Sequence, residues 1–230
     1  GFGMPALYLT SAQLELPATR DGDVELYVGA GIAPRGFAWA VPVRRESGPH
    51  VRVGLMCDGD ATAFFHRLLD RVRASWGIPG DVDTVPRRRL LPLGALRRTF
   101  SDRVLAVGDA AGLVKPTTGG GIYYSLVSAG LAADTMDAAL RRDDMSAPAL
   151  ADYETAWRRR LMPEFRAQMA LRMLVQRMSD QELDDLFDHC VRGALPRLLA
   201  IGAPYGTERT VLRASAHCLD GRPHVGALRA

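Results

Sequence analysis

Residues Arg103–Gly130 read RVLAVGDAAGLVKPTTGGGIYYSLVSAG, which predicts a strand, a glycine-rich loop and a helix in succession. Val104–Val107 is a short apolar run with the length of a buried strand, and Asp109 follows it closely. The N–H groups at the start of a helix lack intrahelical acceptors and lie at the positive end of its dipole, so they bind anions. The Asp109 carboxylate accepts hydrogen bonds and therefore suits a ligand hydroxyl. Together these features favour a nucleotide-like cofactor that carries both hydroxyl and phosphate groups.

Two parts of this stretch resemble motifs of known flavoproteins. Gly108–Gly112 (GDAAG), with the later proline and glycine triplet, resembles the second flavin-contacting motif of hydroxylase-like FAD oxidoreductases, and Lys115–Tyr124 (KPTTGGGIYY) resembles their geranylgeranyl reductase branch. The resemblance implies that Asp109 holds the ribityl chain of FAD and that the N–H groups of Gly120 and Gly121 face the N1–C2=O edge of the flavin. The cofactor-binding residues that it implies are Gly108, Asp109, Ala110, Pro116, Gly119, Gly120, Gly121 and Ile122.

The composition indicates a soluble globular protein. The 230 residues are 47% hydrophobic and 24% charged, and a net charge of +3 does not indicate nucleic-acid binding. Cys57, Cys190 and Cys218 form no CxxC motif, so we expect free thiols in a reducing compartment such as the cytoplasm. The His-Cys pairs at 189–190 and 217–218 would point apart on a helix, so no metal site is predicted. We expect no secretion signal and no membrane-spanning run.

The usual first nucleotide-binding motif of an FAD protein is not recognisable. Such a protein is expected to begin with a strand and Gly-x-Gly-x-x-Gly before a helix. The near match is Gly29–Pro34 (GAGIAP), which follows the strand-like run Val24–Val28 but precedes an aromatic run in place of a helix. We therefore interpret it as a chance match and not as a dinucleotide-binding motif. The resemblance covers roughly residues 12–170, and we expect the chain to be the C-terminal portion of a longer pattern, with the adenine-binding half missing.

The first 58 residues predict an antiparallel sheet. Short β-prone runs alternate with turn signals at residues 21–22 and 47–49, which gives a meander with one solvated face. These runs are Leu7–Leu9, Gln13–Leu16, Val24–Val28, Phe37–Val43 and Val51–Met56. Asp60 is the predicted N-cap of an amphipathic helix over residues 61–75, which Gly77 ends.

Helices dominate the second half of the sequence. The helix after Gly121 should extend to about Leu140 and bury one face, made of Ile122, Leu126, Ala129, Ala133 and Met136. A second helix should begin at Ser146, with Pro163 as a kink or break. The capping box Ser179–Glu182 should begin a third helix, ended by Gly193, and residues 196–201 form a candidate short helix.

The predicted fold class is α+β, with three parts. Residues 1–98 should form an antiparallel substrate-domain sheet. Residues 99–143 should form the C-terminal strand, loop and helix of a Rossmann-like FAD-binding domain. Residues 144–230 should form a helical C-terminal region.

The run Phe37–Pro42 (FAWAVP) carries a second resemblance, to the aromatic-x-Trp-x-aromatic-Pro segment of the reductase family, although halogenases have a similar run. Phe37, Trp39 and Val41 would share one face of a strand. That face would make a flat apolar wall that suits an alkyl chain, and ordinary core packing is the alternative. Arg87–Arg89 and Arg97-Arg98 could meet a pyrophosphate headgroup or an anionic membrane surface, but a solvated face is the favoured interpretation.

The resemblance implies an FAD-dependent oxidoreductase that reduces C=C bonds of an isoprenoid or other hydrophobic substrate, with NAD(P)H or a ferredoxin as electron donor. No pattern of catalytic side chains supports another chemistry, so the reactive group would be the flavin. A lipid substrate is compatible with peripheral membrane contact. The alternatives are an oxygen-using hydroxylase or halogenase, an inactive fragment or half of a split flavoprotein, and an ordinary buried strand, turn and helix.

Overall fold

A computed structural model describes residues 2–5, 7–192 and 213–214 of the chain. Contacts group the described residues into two compact units, one within Gly1–Leu9 and Leu90–Gln176 and the other within Thr10–Arg89 and Arg177–Ala230. The three-part division given by the sequence remains a prediction.

The described residues contain eight strands and four α-helices. The strands are β1 (Tyr8–Pro17), β2 (Glu25–Tyr27), β3 (Phe37–Arg45), β4 (Gly48–Cys57), β5 (Arg87–Pro92), β6 (Phe100–Ser101), β7 (Val104–Leu105) and β8 (Arg213–Ala214). The helices are α1 (Ala61–Trp76), α2 (Ile122–Arg141), α3 (Ala147–Val175) and α4 (Asp180–Arg192). The predicted α+β class is confirmed. No helix in this part of the chain is long and apolar enough to cross a bilayer.

Six strands form one sheet in the order β5-β1-β4-β3-β2-β8. The pairs β2/β3 and β3/β4 are antiparallel, as the predicted meander requires. The pair β1/β4 is also antiparallel, but it joins strands that are not successive, so the predicted meander order is wrong for β1, and β2/β8 is parallel. The predicted hairpin between β3 and β4 is confirmed, because Arg45 pairs with Gly48 across a two-residue turn. The hairpin predicted at Asp21-Gly22 is wrong, because β1 pairs with β4 and β2 pairs with β3. Gly22 instead packs against the indole ring of Trp76.

Helix α1 packs its apolar face into the core of the second unit. Asp60 caps it, since its Oδ1 accepts from the N–H groups of Thr62 (2.9 Å) and Ala63 (3.2 Å). Gly77 ends it in the left-handed conformation, with φ = 60°. Both ends agree with the prediction. The buried side chains of this face and of the sheet include Ala38, Ala40, Val51, Val53, Leu55, Phe65, Leu68, Leu69 and Val72.

The first unit contains the β6/β7 pair, α2 and α3. The strand expected over Val104–Val107 is shorter than predicted, because β7 has two residues and pairs with β6, and Val104 is exposed. Helix α3 begins after Ser146 as predicted and is continuous through Pro163 over 29 residues. Its face with Tyr153, Trp157, Leu161 and Phe165 is buried in the core of this unit.

Helix α2 begins and ends within one residue of its predicted limits, but the buried face predicted for it is wrong. Ile122 is 82% exposed and Leu126 is 70% exposed. The buried face instead contains Tyr124, Ser128, Ala132 and Ala139. The sequence is apolar on both sides of this helix, so periodicity alone could not select the side that meets α3.

Helix α4 has the predicted capping box. The Ser179 N–H donates to Glu182 Oε2 (2.7 Å), and the Glu182 N–H donates to Ser179 Oγ (3.3 Å). The predictions for Gly193, residues 196–201, the His217-Cys218 pair and the side chain of Cys190 lie outside the described residues.

Candidate functional site

The loop between β7 and α2 begins with a tight turn. Gly108–Ala111 forms one turn of 3₁₀-helix, closed by hydrogen bonds from the N–H of Gly112 to the Asp109 carbonyl and from the N–H of Leu113 to the Gly108 carbonyl, both 2.9 Å. Gly112 has φ = +68°, and a Cβ there would lie 2.1 Å from the Gly94 carbonyl oxygen. Only glycine therefore fits this turn.

Gly108 packs directly on α2. Its φ is +53°, and a Cβ there would lie 2.4 Å from Ser125 Oγ. Its buried N–H donates to Ser128 Oγ (3.1 Å), which explains why a serine occupies the buried face of α2. The close approach fixes the turn that carries Asp109 to the start of this helix.

The carboxylate of Asp109 lies beside the N-terminus of α2. A Cβ at Gly121 would lie 2.5 Å from Asp109 Oδ1, so the glycine makes room for the carboxylate. Asp109 is exposed, and within residues 7–192 no group donates a hydrogen bond to its carboxylate or forms an ion pair with it. The acceptor predicted to hold a ligand hydroxyl is therefore available to one.

The first N–H groups of α2 are also available. Gly121 is the N-cap residue and no side chain caps the helix. Among the described residues, nothing accepts from the N–H groups of Gly121, Ile122 or Tyr123. The Gly120 N–H, by contrast, donates to Thr118 Oγ1 at a long 3.4 Å. These donors at the positive end of a helix suit an anionic or electron-rich ligand edge.

A polar network behind the loop holds it against α3. Thr117 Oγ1 donates to Gln168 Oε1 (3.1 Å), and Gln168 Nε2 donates to Tyr124 Oη (2.9 Å) and to Glu164 Oε1 (2.8 Å). The Tyr124 hydroxyl donates to Glu164. Burial and the adjacent Glu164 carboxylate raise the pKa of Tyr124 to about 12. The buried Arg172 donates to the Pro116 carbonyl oxygen (3.1 Å).

Sequence reasoning missed this supporting network. Gln168 and Arg172 lie on α3, continuing the buried face formed by Phe165 and the residues before it. Polar residues at positions where an apolar face should continue are a usable signal, because buried polar side chains need partners. Here those partners are the loop carbonyl of Pro116 and the hydroxyl of Thr117.

The residues predicted to line a substrate share one face of β3, as expected. The rings of Phe37 and Trp39 lie 5.5 Å apart, while the alternating residues Ala38 and Ala40 face the core. The Trp39 indole lies over Gly54, where a Cβ would come within 2.6 Å of the ring. Its Nε1 donates to Gln13 Oε1 (3.2 Å). Phe37, Trp39 and Val41 are partly exposed and belong to the second unit, and their contact with a substrate remains a prediction.

The near match to a dinucleotide-binding motif at Gly29–Pro34 forms a turn. Gly29–Pro34 leads into β3, not into a helix. The Ala30 N–H donates to Asp180 Oδ1 (2.8 Å), and a Cβ at Gly29 would lie 3.1 Å from the same carboxylate. A side chain of the protein thus occupies the donor that a phosphate would need.

Comparison with models of known protein families shows which family the chain belongs to. Residues 60–192, more than half of its length, match the family model described as "Lycopene cyclase protein". This chain belongs to that family. The match includes the whole loop from Gly108 to Gly121 and helices α1 to α4.

The names of the curated relatives agree with the resemblance of the chain's motifs to those of geranylgeranyl reductases. It is 30% identical over 172 residues to the digeranylgeranylglycerophospholipid reductase of Methanocaldococcus jannaschii, covering 71% of the chain and 42% of that relative. It is 30% identical over 203 residues to digeranylgeranylglycerophospholipid reductase 2 of Methanopyrus kandleri, covering 85% and 51%. The chain thus spans about half the length of the curated relatives it matches. The predicted resemblance to geranylgeranyl reductases is confirmed.

A solved structure shows the same fold. The crystal structure of a geranylgeranyl bacteriochlorophyll reductase-like protein from Thermoplasma acidophilum matches with a TM-score of 0.69 and 24% identity, over 86% of this chain and 52% of that chain. The predicted architecture of a sheet, a glycine loop and C-terminal helices is therefore a known fold.

Proposed function

We propose that this chain forms the flavin-ring and substrate portion of an FAD-dependent reductase that acts on carbon–carbon double bonds of an isoprenoid lipid. One observation carries the proposal: the Asp109 carboxylate, without a protein partner among the described residues, lies beside the uncapped N-terminus of α2. A carboxylate can accept hydrogen bonds from the hydroxyls of the ribityl chain, and the neighbouring backbone N–H groups can donate to the ring edge of a flavin.

The residues present fit this cofactor. Gly121 leaves space for the carboxylate that any larger residue would displace. Gly108 and Gly112 fix the turn at positive φ, and Pro116 is anchored through its carbonyl by Arg172. When bound and reduced by the electron donor, FAD would supply the hydride that reduces the double bond, with water or an acid supplying the proton.

The side chains and backbone of the loop would orient the cofactor. Asp109 would accept hydrogen bonds from the ribityl hydroxyls, and the N–H groups of Gly121 and Ile122 would donate to the N1–C2=O edge. The positive end of α2 would favour negative charge at that edge by roughly 0.3–1 kcal/mol, and up to about 2 kcal/mol where the site is partly buried. This stabilises the reduced form, which donates hydride.

The substrate class is inferred from two sources. The relatives are named as reductases of a digeranylgeranyl glycerophospholipid, and the apolar face of β3 would give an alkyl chain a flat wall of Phe37, Trp39 and Val41. NAD(P)H or a ferredoxin would be the electron donor. The adenine and pyrophosphate of FAD would be bound by polypeptide equivalent to the unmatched half of these relatives.

The test is a ligand-by-variant comparison with riboflavin and lumiflavin, which lacks the ribityl chain. We expect Asp109→Ala to weaken riboflavin binding roughly tenfold or more, because a hydrogen bond to a charged group contributes about 1.5–3 kcal/mol. The same substitution should leave lumiflavin binding unchanged. Flavin fluorescence quenching measures both affinities.

The matched control is Asp134→Ala, an exposed carboxylate on α2. It should change neither affinity. Equal riboflavin affinity for wild type and Asp109→Ala would refute the site. Oxygen consumption coupled to NAD(P)H oxidation, in a protein that also contains the unmatched half, would favour a hydroxylase or halogenase over a reductase.

A further inference from the structure

A cavity lies within the first unit, between the Leu93–Arg97 turn, the loop after Gly112 and α3. Its volume is about 360 Å³. The larger apolar residues that line it are Leu93, Leu96, Val114, Met162, Phe165 and Met169. Asp109, Gly120 and Gly121 do not line it, but Pro116, one of the predicted cofactor-binding residues, does, so the cavity adjoins the loop of the candidate flavin site.

One side of the cavity is tightly packed, and the opposite side carries flexible methionine side chains. Leu93 and Val114 are almost completely buried, and the Gly112 turn meets Gly94 too closely for any larger residue. Met162 and Met169 stand two turns apart on α3 and are partly exposed. Thioether side chains are unbranched and polarisable, so they adapt to irregular apolar ligands. The shape and chemistry of these walls suit a hydrocarbon chain.

The charged residues lining the cavity are all arginines. Arg158 is engaged by the protein, since it donates to the Arg97 carbonyl oxygen (2.7 Å) and pairs with Glu154 (3.1 Å). Arg97 and Arg166 are exposed, and no carboxylate among the described residues pairs with either. Two available guanidinium groups beside an apolar cavity complement a phosphate at the end of an apolar chain.

We propose that this cavity binds one isoprenoid chain whose terminal phosphate is held by Arg97 and Arg166. The identity of the chain as an isoprenoid rests on the proposed function, whereas the combination of apolar walls and a cationic opening is independent of it. The volume lies at the lower end of the roughly 300–1,000 Å³ of small-molecule sites, so the cavity accommodates one chain, not two. The phosphate could belong to a soluble prenyl diphosphate or to a glycerolipid.

Direct binding measurements on the purified chain test the cationic opening. We expect geranylgeranyl diphosphate to bind at least tenfold more tightly than geranylgeraniol, which has the same chain and no phosphate. Arg166→Ala should weaken binding of the diphosphate about tenfold and leave that of the alcohol unchanged. Arg160→Ala removes an exposed arginine of the same helix that does not line the cavity, and it should have no effect.

A substitution that fills the cavity with a larger side chain tests the apolar walls. Met169→Trp should abolish binding of both ligands, while Leu171→Trp, at a 53% exposed position on the same helix, should not. The far-UV circular dichroism and melting temperature of each variant establish that it is folded. If Met169→Trp does not fold, Arg97→Glu tests the cationic opening instead, because reversed charge should weaken diphosphate binding more than tenfold and leave binding of the alcohol unchanged.

The two phosphate sources are separated by a third ligand. Vesicles containing a digeranylgeranylglyceryl phosphate should bind in an Arg166-dependent manner if the source is a glycerolipid, and should not bind if it is a soluble diphosphate. Arg166-independent binding of every ligand, or equal affinity for alcohol and diphosphate, overturns the proposal. Asp109→Ala should leave lipid binding unchanged, so failure of the flavin site and failure of this cavity are distinguishable.

Discussion

Two glycine turns of this molecule place a carboxylate against the backbone, and they differ in what that carboxylate does. At Gly29 the carboxylate of Asp180 accepts from the Ala30 N–H, so donor and acceptor satisfy each other. At Gly121 the carboxylate of Asp109 lies close to the backbone, but no hydrogen bond within the described ranges uses it. The first arrangement completes the fold, whereas the second leaves both an acceptor and several donors for a ligand.

The comparison shows why glycine spacing alone does not identify a nucleotide site. Both turns have the glycines that a close approach of the backbone requires. The two turns differ in whether a side chain from elsewhere in the fold already accepts from the N–H group that a phosphate would need. Asp180 is distant in sequence from Gly29, so a local motif search cannot detect it.

The largest effect should come from enlarging a glycine of the Asp109 loop. Gly112→Ala places a Cβ 2.1 Å from the Gly94 carbonyl oxygen, at φ = +68°. The left-handed conformation and the overlap together should lower the free energy of unfolding by roughly 2–4 kcal/mol. Urea denaturation of the purified variant measures the loss.

The matched variant in the other turn is Gly31→Ala, where a new Cβ meets nothing within 4 Å. Its free energy of unfolding should stay within about 0.5 kcal/mol of wild type. Similar losses in both variants would show that position 31 is as restricted as position 112, contrary to the contacts that a Cβ would make at each.

A smaller effect is expected in the network that supports the loop. Tyr124→Phe removes a buried hydroxyl that donates to Glu164 and accepts from Gln168, and should cost about 1–2 kcal/mol of stability at pH 7. Tyr123→Phe, at an exposed neighbouring ring, should cost less than about 0.5 kcal/mol. Chemical denaturation of both variants gives the two values.

The pH dependence of Tyr124 has a defined sign. Its pKa is raised from 10 to about 12, so the folded state retains a proton that the unfolded state loses. The stabilisation is fully present below pH 10 and disappears as the pH rises towards 12. Tyr124→Phe should remove this part of the alkaline decline in stability, and an unchanged decline would contradict the assignment.

Much of the fold was accessible from the sequence because its signals are local. The Asp60 cap, the Gly77 stop and the Ser179–Glu182 box are short-range hydrogen-bonding patterns, and all three are present. The glycine-led start of α2 was predicted for the same reason. Strand pairing was less accessible, because the insertion of β4 between β1 and β3 depends on contacts distant in sequence.

The candidate site was only partly predictable. The motif located Asp109 and Gly121, but the availability of their polar groups depends on what else reaches the loop. The buried face of α2 was misassigned because Ser128, a polar residue, is buried to satisfy the Gly108 N–H, and that demand exists only in three dimensions. The contributions of Gln168 and Arg172 likewise require the position of α3.

Asp180, the carboxylate at the Gly29 turn, should contribute to stability but not to flavin binding. Asp180→Ala removes the acceptor of the Ala30 N–H and an acidic residue from the first turn of α4. We expect a loss of about 1 kcal/mol or less, because the contact is exposed. Riboflavin affinity should be unchanged, the reverse of the pattern expected for Asp109→Ala. A variant at 180 that weakens riboflavin binding without loss of stability would remove the distinction between the two carboxylates.

The smallest effect is expected at Glu15, whose two carboxylate oxygens both accept hydrogen bonds from arginines. Arg45 donates to both of its oxygens (2.6 and 2.9 Å) and Arg52 to one (2.8 Å), and these hydrogen bonds lower the pKa of Glu15 from 4.5 to about 2. A lowered pKa means that the unfolded state binds the proton first, so the stabilisation is present above pH 4.5 and is lost as the pH falls towards 2. The contribution should be below about 1 kcal/mol, because both arginines are well exposed. Glu15→Gln should flatten the stability profile in that window, measured by urea denaturation between pH 2 and 6. If Glu15→Gln retains the wild-type slope, the ion pairs around Glu15 add nothing to stability, and ion pairing within the protein does not distinguish Glu15 from Asp109.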